Sequence, residues 1–265
     1  MSRQDETAVC LTVAALAAVP GVRHGFFTRL GGTDGAGLAG LNVSFDVGDD
    51  PARVRRNRAV AAQAIGMTAA MMLIARQVHS ARSLLVSAPW PPRRPLPEAD
   101  ALITATPGVA VAVLTADCCP VLCADPVAGV VAAIHAGWRG AVAGVLESAL
   151  ATMAQVGARP ARMIAALGPH IAAACYEVGP EFGPEVARHD PNSRPYLLPP
   201  TPGRGARFDL GGYVAARLRR AGVVAVRDIG RDTVTESALF YSYRRAQQSG
   251  GAPTGRQLSV ILRQS

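Results

Sequence analysis

Three apolar segments in the middle of the chain, rich in β-branched residues, restrict the folds that this sequence can adopt. They span residues 109–114, 121–123 and 130–135, and each is followed by polar or turn-forming residues. Short continuous apolar runs that end at turn signals are typical of strands buried on both faces. We therefore predict that the three segments are strands of one buried sheet.

The elements around these strands do not follow a regular β–α alternation. Asp50 and Pro51 mark the start of a helix that reaches residue 65, because Asp is a favoured N-cap and proline suits the first helical position. Further helices are predicted at 141–156 and 210–221, and further strands at 22–28, 42–47, 72–79, 82–87, 163–167, 223–226 and 257–262. This mixture predicts an α+β fold, a layered mixed β-sheet domain with flanking helices, and we expect residues 1–265 to form one domain.

The charge of the chain does not by itself indicate nucleic-acid binding. The formal net charge is +8, but the chain has no lysine, and its arginines are scattered, with only short clusters on predicted helices. Such clusters are usually solvated helix faces. The apolar stretch 101–136 is interrupted by Asp117, Asp125 and several glycines and prolines, which excludes a simple membrane span. We expect neither a nucleic acid nor a membrane as partner.

The cysteines and the N-terminus favour a reducing compartment. The chain has five cysteines, an odd number, and three of them lie within residues 118–123, which does not suit a disulfide framework. The N-terminus lacks the basic segment before an apolar stretch that a secretory signal has. We therefore expect a cytoplasmic protein.

Two histidines and a cysteine are candidate metal ligands. His79, Cys118 and His135 each lie where a predicted strand gives way to a turn, a position at which side chains face a cleft. Imidazole and thiolate ligands suit Zn²⁺, and three protein ligands leave the fourth coordination position open, as in catalytic zinc sites. The wide spacings match no compact zinc motif, so hydrogen-bonded histidines and a small buried cysteine also explain the residues taken alone.

Longer motifs resemble, in order, those of the laccase-domain family, also called the polyphenol oxidase or peptidoglycan editing factor family. They read HGFFTRLGG, RQVHS, EADALIT, TADCCPVL, AAIHAGWRG, ALGPHI and LFYSYRR, and the resemblance extends from residue 24 to residue 262. It implies a zinc-binding set that falls on His79, Cys118 and His135. Cys118 is preferred to Cys119 because the family cysteine directly follows Thr-Ala-Asp.

The resemblance also implies an activity. The family is associated with purine nucleoside phosphorylases, which implies phosphorolysis of adenosine, inosine and guanosine to free base and ribose 1-phosphate. Adenosine deamination and methylthioadenosine cleavage are implied alongside, the former through a metal-activated water as in other zinc deaminases. Nucleosides and phosphate are then the expected small-molecule partners.

Four further residues are candidates for this site. Arg139, at the start of a predicted helix, is a candidate catalytic phosphate ligand, and Arg29, before the glycine-rich stretch 31–37, is a candidate substrate ligand. Each arginine also suits a surface or structural ion pair. Asp117 is a candidate general base, or it orients a histidine or caps backbone groups. Asn42 is a candidate substrate-binding residue for ribose or base, or a turn residue.

Other functions fit parts of the pattern. A copper polyphenol oxidase uses the same ligand types, but a multicopper enzyme needs many histidines in paired motifs, and this chain has five, none of them paired. A cysteine hydrolase would use Cys118 as nucleophile and His135 as base. A zinc hydrolase that removes a misincorporated amino acid from peptidoglycan precursors, or a binding domain with a structural metal, would use the same three residues.

Overall fold

The structure is a computed structural model that describes residues 7–33, 38–91 and 95–264 of the chain. Residues 34–37 of the predicted glycine-rich loop therefore lie outside the described part. The α-helices of the described residues are α1 (Ala14–Ala17), α2 (Pro51–Ala64), α3 (Trp138–Ala143), α4 (Val145–Gln155), α5 (Phe182–His189), α6 (Leu210–Arg220) and α7 (Tyr243–Gln248), with 3-10 helices at Ala69–Met71, Pro160–Arg162 and Pro191–Tyr196. The strands of the described residues are β1 (Cys10–Leu11), β2 (Val22–Phe27), β3 (Met72–Leu73), β4 (Ser83–Leu85), β5 (Ala101–Thr104), β6 (Ala110–Thr115), β7 (Cys119–Asp125), β8 (Val130–Ala136), β9 (Ile164–Leu167), β10 (Leu197–Leu198), β11 (Arg207–Phe208), β12 (Ala225–Asp228) and β13 (Gln257–Arg263).

In the described part of the chain, the strands form two mixed sheets and a separate antiparallel pair, β10 with β11. The first sheet has the order β1-β2-β13-β6-β3, in which β3 is parallel to β6 and the other neighbours are antiparallel. The second sheet has the order β12-β9-β7-β8-β5-β4, in which β12 pairs with β9 and β4 with β5 in parallel. The second sheet contains a hairpin of β7 and β8, and both sheets also pair strands that are far apart in the sequence.

The two sheets pack face to face, and helices cover their outer faces. Between them lies a buried layer to which the first sheet contributes Phe26 and Val111 and the second sheet contributes Leu122. On its outer face the second sheet packs against α4 and α6, and the first sheet packs against α2. This helix–sheet–sheet–helix arrangement confirms the predicted layered α+β fold, because each sheet buries two apolar faces.

The prediction that the central apolar segments share one sheet is wrong. Segment 109–114 is largely β6 and belongs to the first sheet, whereas 121–123 and 130–135 belong to β7 and β8 of the second sheet. Continuous apolar runs indicate burial on both faces, but they do not say which sheet a strand joins. The turn at residues 116–118 carries the chain from one sheet to the other.

Two of the strand predictions fail for local reasons. Residues 42–47 form a loop, in which the side-chain oxygen of Asn42 accepts a hydrogen bond of 3.2 Å from the backbone of Ser44. Such a side-chain turn competes with strand pairing. Segment 72–79 is a strand only at Met72–Leu73 and continues as a loop towards His79.

Local signals explain where the main helices begin and end. Asp50 caps α2, as predicted, by accepting a hydrogen bond of 2.9 Å from Ala52, and Pro51 occupies the first turn. The predicted helix at 141–156 is divided into α3 and α4 at Gly144, whose φ of 99° is left-handed and suits glycine. Among the described residues, no helix has both the length and the apolar character that crossing a bilayer requires.

Candidate metal centre

His79, Cys118 and His135 come together although they are far apart in the sequence. One donor atom from each, two ring nitrogens and one sulfur, lie within 4.8 Å of one another. The two imidazole rings meet edge to face, with centroids 4.8 Å apart. His135 is buried, Cys118 half-buried and His79 exposed, so the group opens towards solvent on the side of His79. This donor set fits a metal ion that takes nitrogen and sulfur ligands.

The three residues lie at the seam between the two sheets. His79 is in the connection from β3 of the first sheet to β4 of the second, and Cys118 is in the turn from β6 of the first sheet to β7 of the second. His135 is near the end of β8, on the strand face that points between the sheets, since its neighbours Ile134 and Ala136 pack in the outer core. Two crossings between the sheets thus each deliver one candidate ligand.

The backbone beside two of these ligands is held in an unusual conformation. His79 has a φ of 57° and Asp117 a φ of 89°, and they are the only non-glycine residues with positive φ in the described ranges. Left-handed backbone costs free energy for residues with a Cβ, and it persists where surrounding contacts impose it. Because both residues lie at the candidate ligands, the contacts that impose this backbone conformation are those of the centre itself.

Gly137 provides the space in which the ligands meet. A Cβ at this position would lie 2.5 Å from Nδ1 of His79 and 3.1 Å from Sγ of Cys118, which is too close for either atom. The residue has an ordinary φ of −69°, so its requirement is for space and not for backbone freedom. Gly137, two residues after His135, is therefore part of the centre.

Asp100 connects two of the ligands, and the sequence analysis did not single it out. Its Oδ1 lies 2.8 Å from Nδ1 of His135 and accepts a hydrogen bond of 3.0 Å from the backbone of His79. Its Oδ2 accepts hydrogen bonds of 2.7 Å from both the backbone and the hydroxyl of Ser80. The signal that could have identified it is its position in the EADALIT motif, as the acidic residue directly before the buried strand β5.

The ionised form of Asp100 and the protonated form of His135 stabilise each other. Burial disfavours ionisation of Asp100, but hydrogen bonds from His135 and Ser80 outweigh it and lower the pKa of Asp100 to about 2. Burial also disfavours protonated His135, but Cys118 and Asp100 outweigh it and raise the pKa of His135 to about 9. Burial, reinforced by His135, lowers the pKa of His79 to about 4. Because an ionised Asp100 only accepts, Nδ1 of His135 donates to it, which leaves Nε2 as the ligand atom.

We expect Asp100→Asn to lower metal affinity by about tenfold to a hundredfold, the usual effect of losing a partner behind a histidine ligand. Competition with a chromophoric chelator measures this change. Asp125→Asn is the matched control, because Asp125 is equally buried and pairs with Arg162 at the opposite end of β7. The control should reduce stability and leave the metal affinity unchanged. Equal affinities for Asp100→Asn and the unaltered protein would rule out this role.

The candidate ligands face a cavity of about 800 Å³ whose wall is rich in arginine. Arg58, Arg139, Arg244 and Arg256 all line it, and within the described part of the chain none of them forms an ion pair with a carboxylate. Burial lowers the pKa of Arg256, and it lowers that of Arg58 to about 10. Guanidinium groups without a carboxylate partner, three of them half-buried and that of Arg139 exposed, are suited to binding an anion.

The structure brings Asp117 and Arg139 to the cavity wall together with the three candidate ligands. Arg139 is exposed, and its guanidinium group stacks 4.5 Å from the ring centre of Trp138. The two carboxylate oxygens of Asp117 accept hydrogen bonds of 2.6 Å from the hydroxyl of Thr233 and from the backbone of Arg244. Asp117 thus positions the segment that carries Arg244.

Arg29 and Asn42, the predicted substrate-binding residues, do not line this cavity. Arg29 stacks 4.6 Å from the ring centre of Tyr241 and donates to backbone oxygens. Asn42 is fully buried, and its side-chain oxygen accepts a hydrogen bond of 3.0 Å from the backbone of Arg256. Asn42 therefore lies behind the cavity wall, and its hydrogen bond positions Arg256, which lines the cavity.

A His–Cys–His group that opens into a cationic cavity is the kind of centre found in metal-dependent enzymes that act on small molecules. The chain belongs to the family described as multi-copper polyphenol oxidoreductase laccase, whose model matches residues 23–264. This match confirms the resemblance inferred from the motifs.

Relatives and solved structures cover nearly the whole chain. A purine nucleoside phosphorylase of Streptomyces coelicolor is 44% identical over 234 residues, which is 88% of this chain and 93% of the relative. One of Deinococcus radiodurans is 41% identical over 242 residues, 91% of this chain and 88% of the relative. The crystal structure of a Neisseria meningitidis protein of the DUF152 family has a TM-score of 0.81 at 33% identity, covering 98% of this chain and all of that one.

Proposed function

We propose that this protein is a zinc-dependent purine nucleoside phosphorylase that converts adenosine, inosine and guanosine, with phosphate, to free base and ribose 1-phosphate. The observation that carries the proposal is the group of arginines, unpaired with any carboxylate in the described residues, around a three-residue metal site. The names of the relatives support the same reaction. Adenosine deamination and methylthioadenosine phosphorolysis are proposed as accompanying activities of the same site.

The arginines supply what phosphorolysis requires of the protein. Inorganic phosphate carries its negative charge into the transition state, so guanidinium groups fixed in a half-buried wall stabilise the reaction as well as binding. Arg256 is the first candidate, because it is half-buried in the cavity wall to which Cys118 and Asp117 also belong. Arg139, whose charge acts on His79, is the second candidate. These two arginines are proposed to hold the phosphate beside the metal site.

The rest of the cavity suits a nucleoside. A volume of about 800 Å³ is within the usual range for small-molecule sites and has room for a nucleoside with phosphate beside it. The aromatic side chains of Phe45, Tyr176 and Tyr243 line the wall and offer surfaces for a purine ring. Asp117 is proposed to position Arg244, because its two oxygens accept hydrogen bonds from the hydroxyl of Thr233 and the backbone of Arg244, and its role as general base stays a prediction.

Zinc is the metal that the donor set favours. Two imidazoles and one thiolate leave one coordination position open, as in catalytic zinc sites, and a zinc ion bound there supplies a Lewis acid and an activated water. Within the described residues, this is the single group of three or more side chains that could hold a metal ion. A multicopper oxidase needs several such groups, which argues against copper redox chemistry despite the name of the family.

The test measures zinc content and phosphate dependence together. We expect about one zinc per chain by elemental analysis, the number that a single three-ligand site holds. Inosine should be cleaved to hypoxanthine only when phosphate is present. Arg139→Ala should raise the phosphate concentration needed for half-maximal rate about tenfold, with zinc retained and adenosine deamination less affected.

If inosine is cleaved at the same rate without phosphate, the protein is a hydrolase and the proposed phosphorylase activity is wrong. That result would favour the alternative function, a zinc hydrolase that removes a misincorporated amino acid from peptidoglycan precursors. Equal loss of phosphorolysis and deamination in Arg139→Ala would instead mean that Arg139 holds the nucleoside or the fold, and its assignment to phosphate would be wrong.

A further inference from the structure

The side chain of Gln77 takes the place of a strand beside the end of β6. β3 is parallel to β6, and if its register continued, residue 76 would lie opposite Leu114. The chain leaves the sheet before that point. The amide of Gln77 instead donates a hydrogen bond of 2.7 Å to the backbone oxygen of Leu114 and accepts one of 2.7 Å from its backbone nitrogen. The side chain thus pairs backbone groups that a longer β3 would have paired.

The backbone that carries His79 has by then moved to the second sheet. The backbone of Arg76 exchanges hydrogen bonds of 2.9 and 3.1 Å with the segment that leads into β5, and that of His79 donates to Asp100. Within the described ranges, the two hydrogen bonds of Gln77 are the only ones that join residues 76–80 to the first sheet. Gln77 therefore connects this segment to β6.

These bonds complete a closed ring of contacts through all three candidate ligands. Asp100 connects His79 to His135. The strand β8, which carries His135, pairs with β7, which begins directly after Cys118. Gln77 closes the ring from the other side, because β6 leads through a turn to Cys118. The separation of His79 and Cys118 is therefore restricted twice, once through the second sheet and once through Gln77.

We propose that Gln77 is a positioning residue for the metal centre, whose amide holds His79 at the separation from Cys118 that a shared metal ion needs. The inference rests on the metal of the proposed function and not on its substrates. Ligands that are already held in place lose less freedom when the ion binds, so a connection between their segments raises affinity without contacting the ion. The left-handed backbone of His79, with a φ of 57°, also needs such support.

The test measures metal binding and not turnover. Gln77→Met keeps the length of the side chain and removes both hydrogen bonds. We expect it to lower the affinity for Zn²⁺ about tenfold, the lower end of the effect of losing a partner behind the ligands, in competition with a chromophoric chelator. Gln77→Glu keeps an acceptor for the backbone nitrogen of Leu114 but loses the donor. It should lower the affinity as well, and it serves as the test variant if Gln77→Met does not fold.

Gln257→Met is the matched control. Gln257 lies in β13 of the first sheet, and its amide likewise exchanges two hydrogen bonds, of 2.9 and 3.0 Å, with the backbone of one residue, Tyr241. These bonds join no candidate ligands, so the control should lose stability and keep its metal affinity. Co²⁺ accepts the same ligand types, and its absorption depends on coordination geometry. The cobalt absorption should therefore change in Gln77→Met and stay the same in Gln257→Met.

Four results would overturn the proposal. Equal affinity and equal cobalt absorption in Gln77→Met and the unaltered protein would mean that the connection does not affect the centre. An equal loss of affinity in Gln257→Met would mean that any loosening of the first sheet weakens metal binding. A higher KM for the nucleoside with unchanged metal affinity would assign Gln77 to the substrate. If the unaltered protein binds neither Zn²⁺ nor Co²⁺, the metal centre of the proposed function fails and the positioning role fails with it, a result that needs no substitution to be seen.

Discussion

Replacing Cys118 by alanine is expected to remove the metal and to reduce phosphorolysis on the order of a thousandfold or more, because several kcal/mol of charge stabilisation are lost with the ion. Cys118 contributes the sulfur of the three-residue group, which lies within 4.8 Å of both histidine donor atoms. With only His79 and His135 left, the site has too few ligands to hold zinc tightly. Elemental analysis and turnover of inosine with phosphate measure the two losses.

Cys119→Ala is the matched control for this prediction. Cys119 begins β7, is fully buried in the core on the outer face of the second sheet, and has a pKa raised well above that of a free thiol by burial. Its loss should cost about 1 kcal/mol of unfolding free energy and leave the zinc in place. If Cys119→Ala were inactive and metal-free while Cys118→Ala kept both properties, the assignment of the ligand would be off by one residue.

Replacing Arg256 by alanine should lower kcat/KM for phosphate on the order of a hundredfold to a thousandfold, the range seen when one fixed charge-stabilising donor is removed. The effect should exceed that of Arg139→Ala, because Arg256 is half-buried and Arg139 is exposed. Burial strengthens the interaction of a guanidinium group with an anion, and the backbone of Arg256 is held by Asn42. Zinc content should not change. Initial rates over a range of phosphate concentrations measure the effect.

Arg29→Ala is the control for Arg256, since it also removes an arginine, but one that stacks on the ring of Tyr241 and lies outside the cavity wall. It should leave the phosphate dependence unchanged. Equal effects of the two substitutions would mean that general positive charge attracts phosphate, and the direct contact that we assign to Arg256 would be wrong.

The layered fold was predictable from the sequence, but the division of its strands between two sheets was not. Alternation of polarity carries no information in strands such as β7, in which every residue is buried. The order of strands is set by pairings over long sequence distances, such as that of β13 with both β2 and β6. The strand predicted at 42–47 failed for a different reason, because the hydrogen bonds of Asn42 stabilise a turn there.

The three candidate ligands could be predicted from the sequence motifs, but the residues of the cavity wall could not. His79, Cys118 and His135 were identified by resemblance, and the structure brings them together. Arg244 and Arg256 were missed, because only the fold shows which arginines line the cavity without a carboxylate partner. Asn42 was predicted to bind substrate or to form a turn, and the structure shows it in a turn, buried behind Arg256.

The two crossings between the sheets at the metal centre have a consequence for how the core tolerates change. Two of the candidate ligands lie where the chain passes from one sheet to the other, so the distances between donor atoms depend on the alignment of the sheets. That alignment is maintained by the interleaved side chains between them, including Val111 and Leu122. Val111, Leu122 and their neighbours in this layer therefore fix the relative positions of the candidate ligands. We expect a substitution there to change the distances between the candidate ligands as well as the stability of the fold.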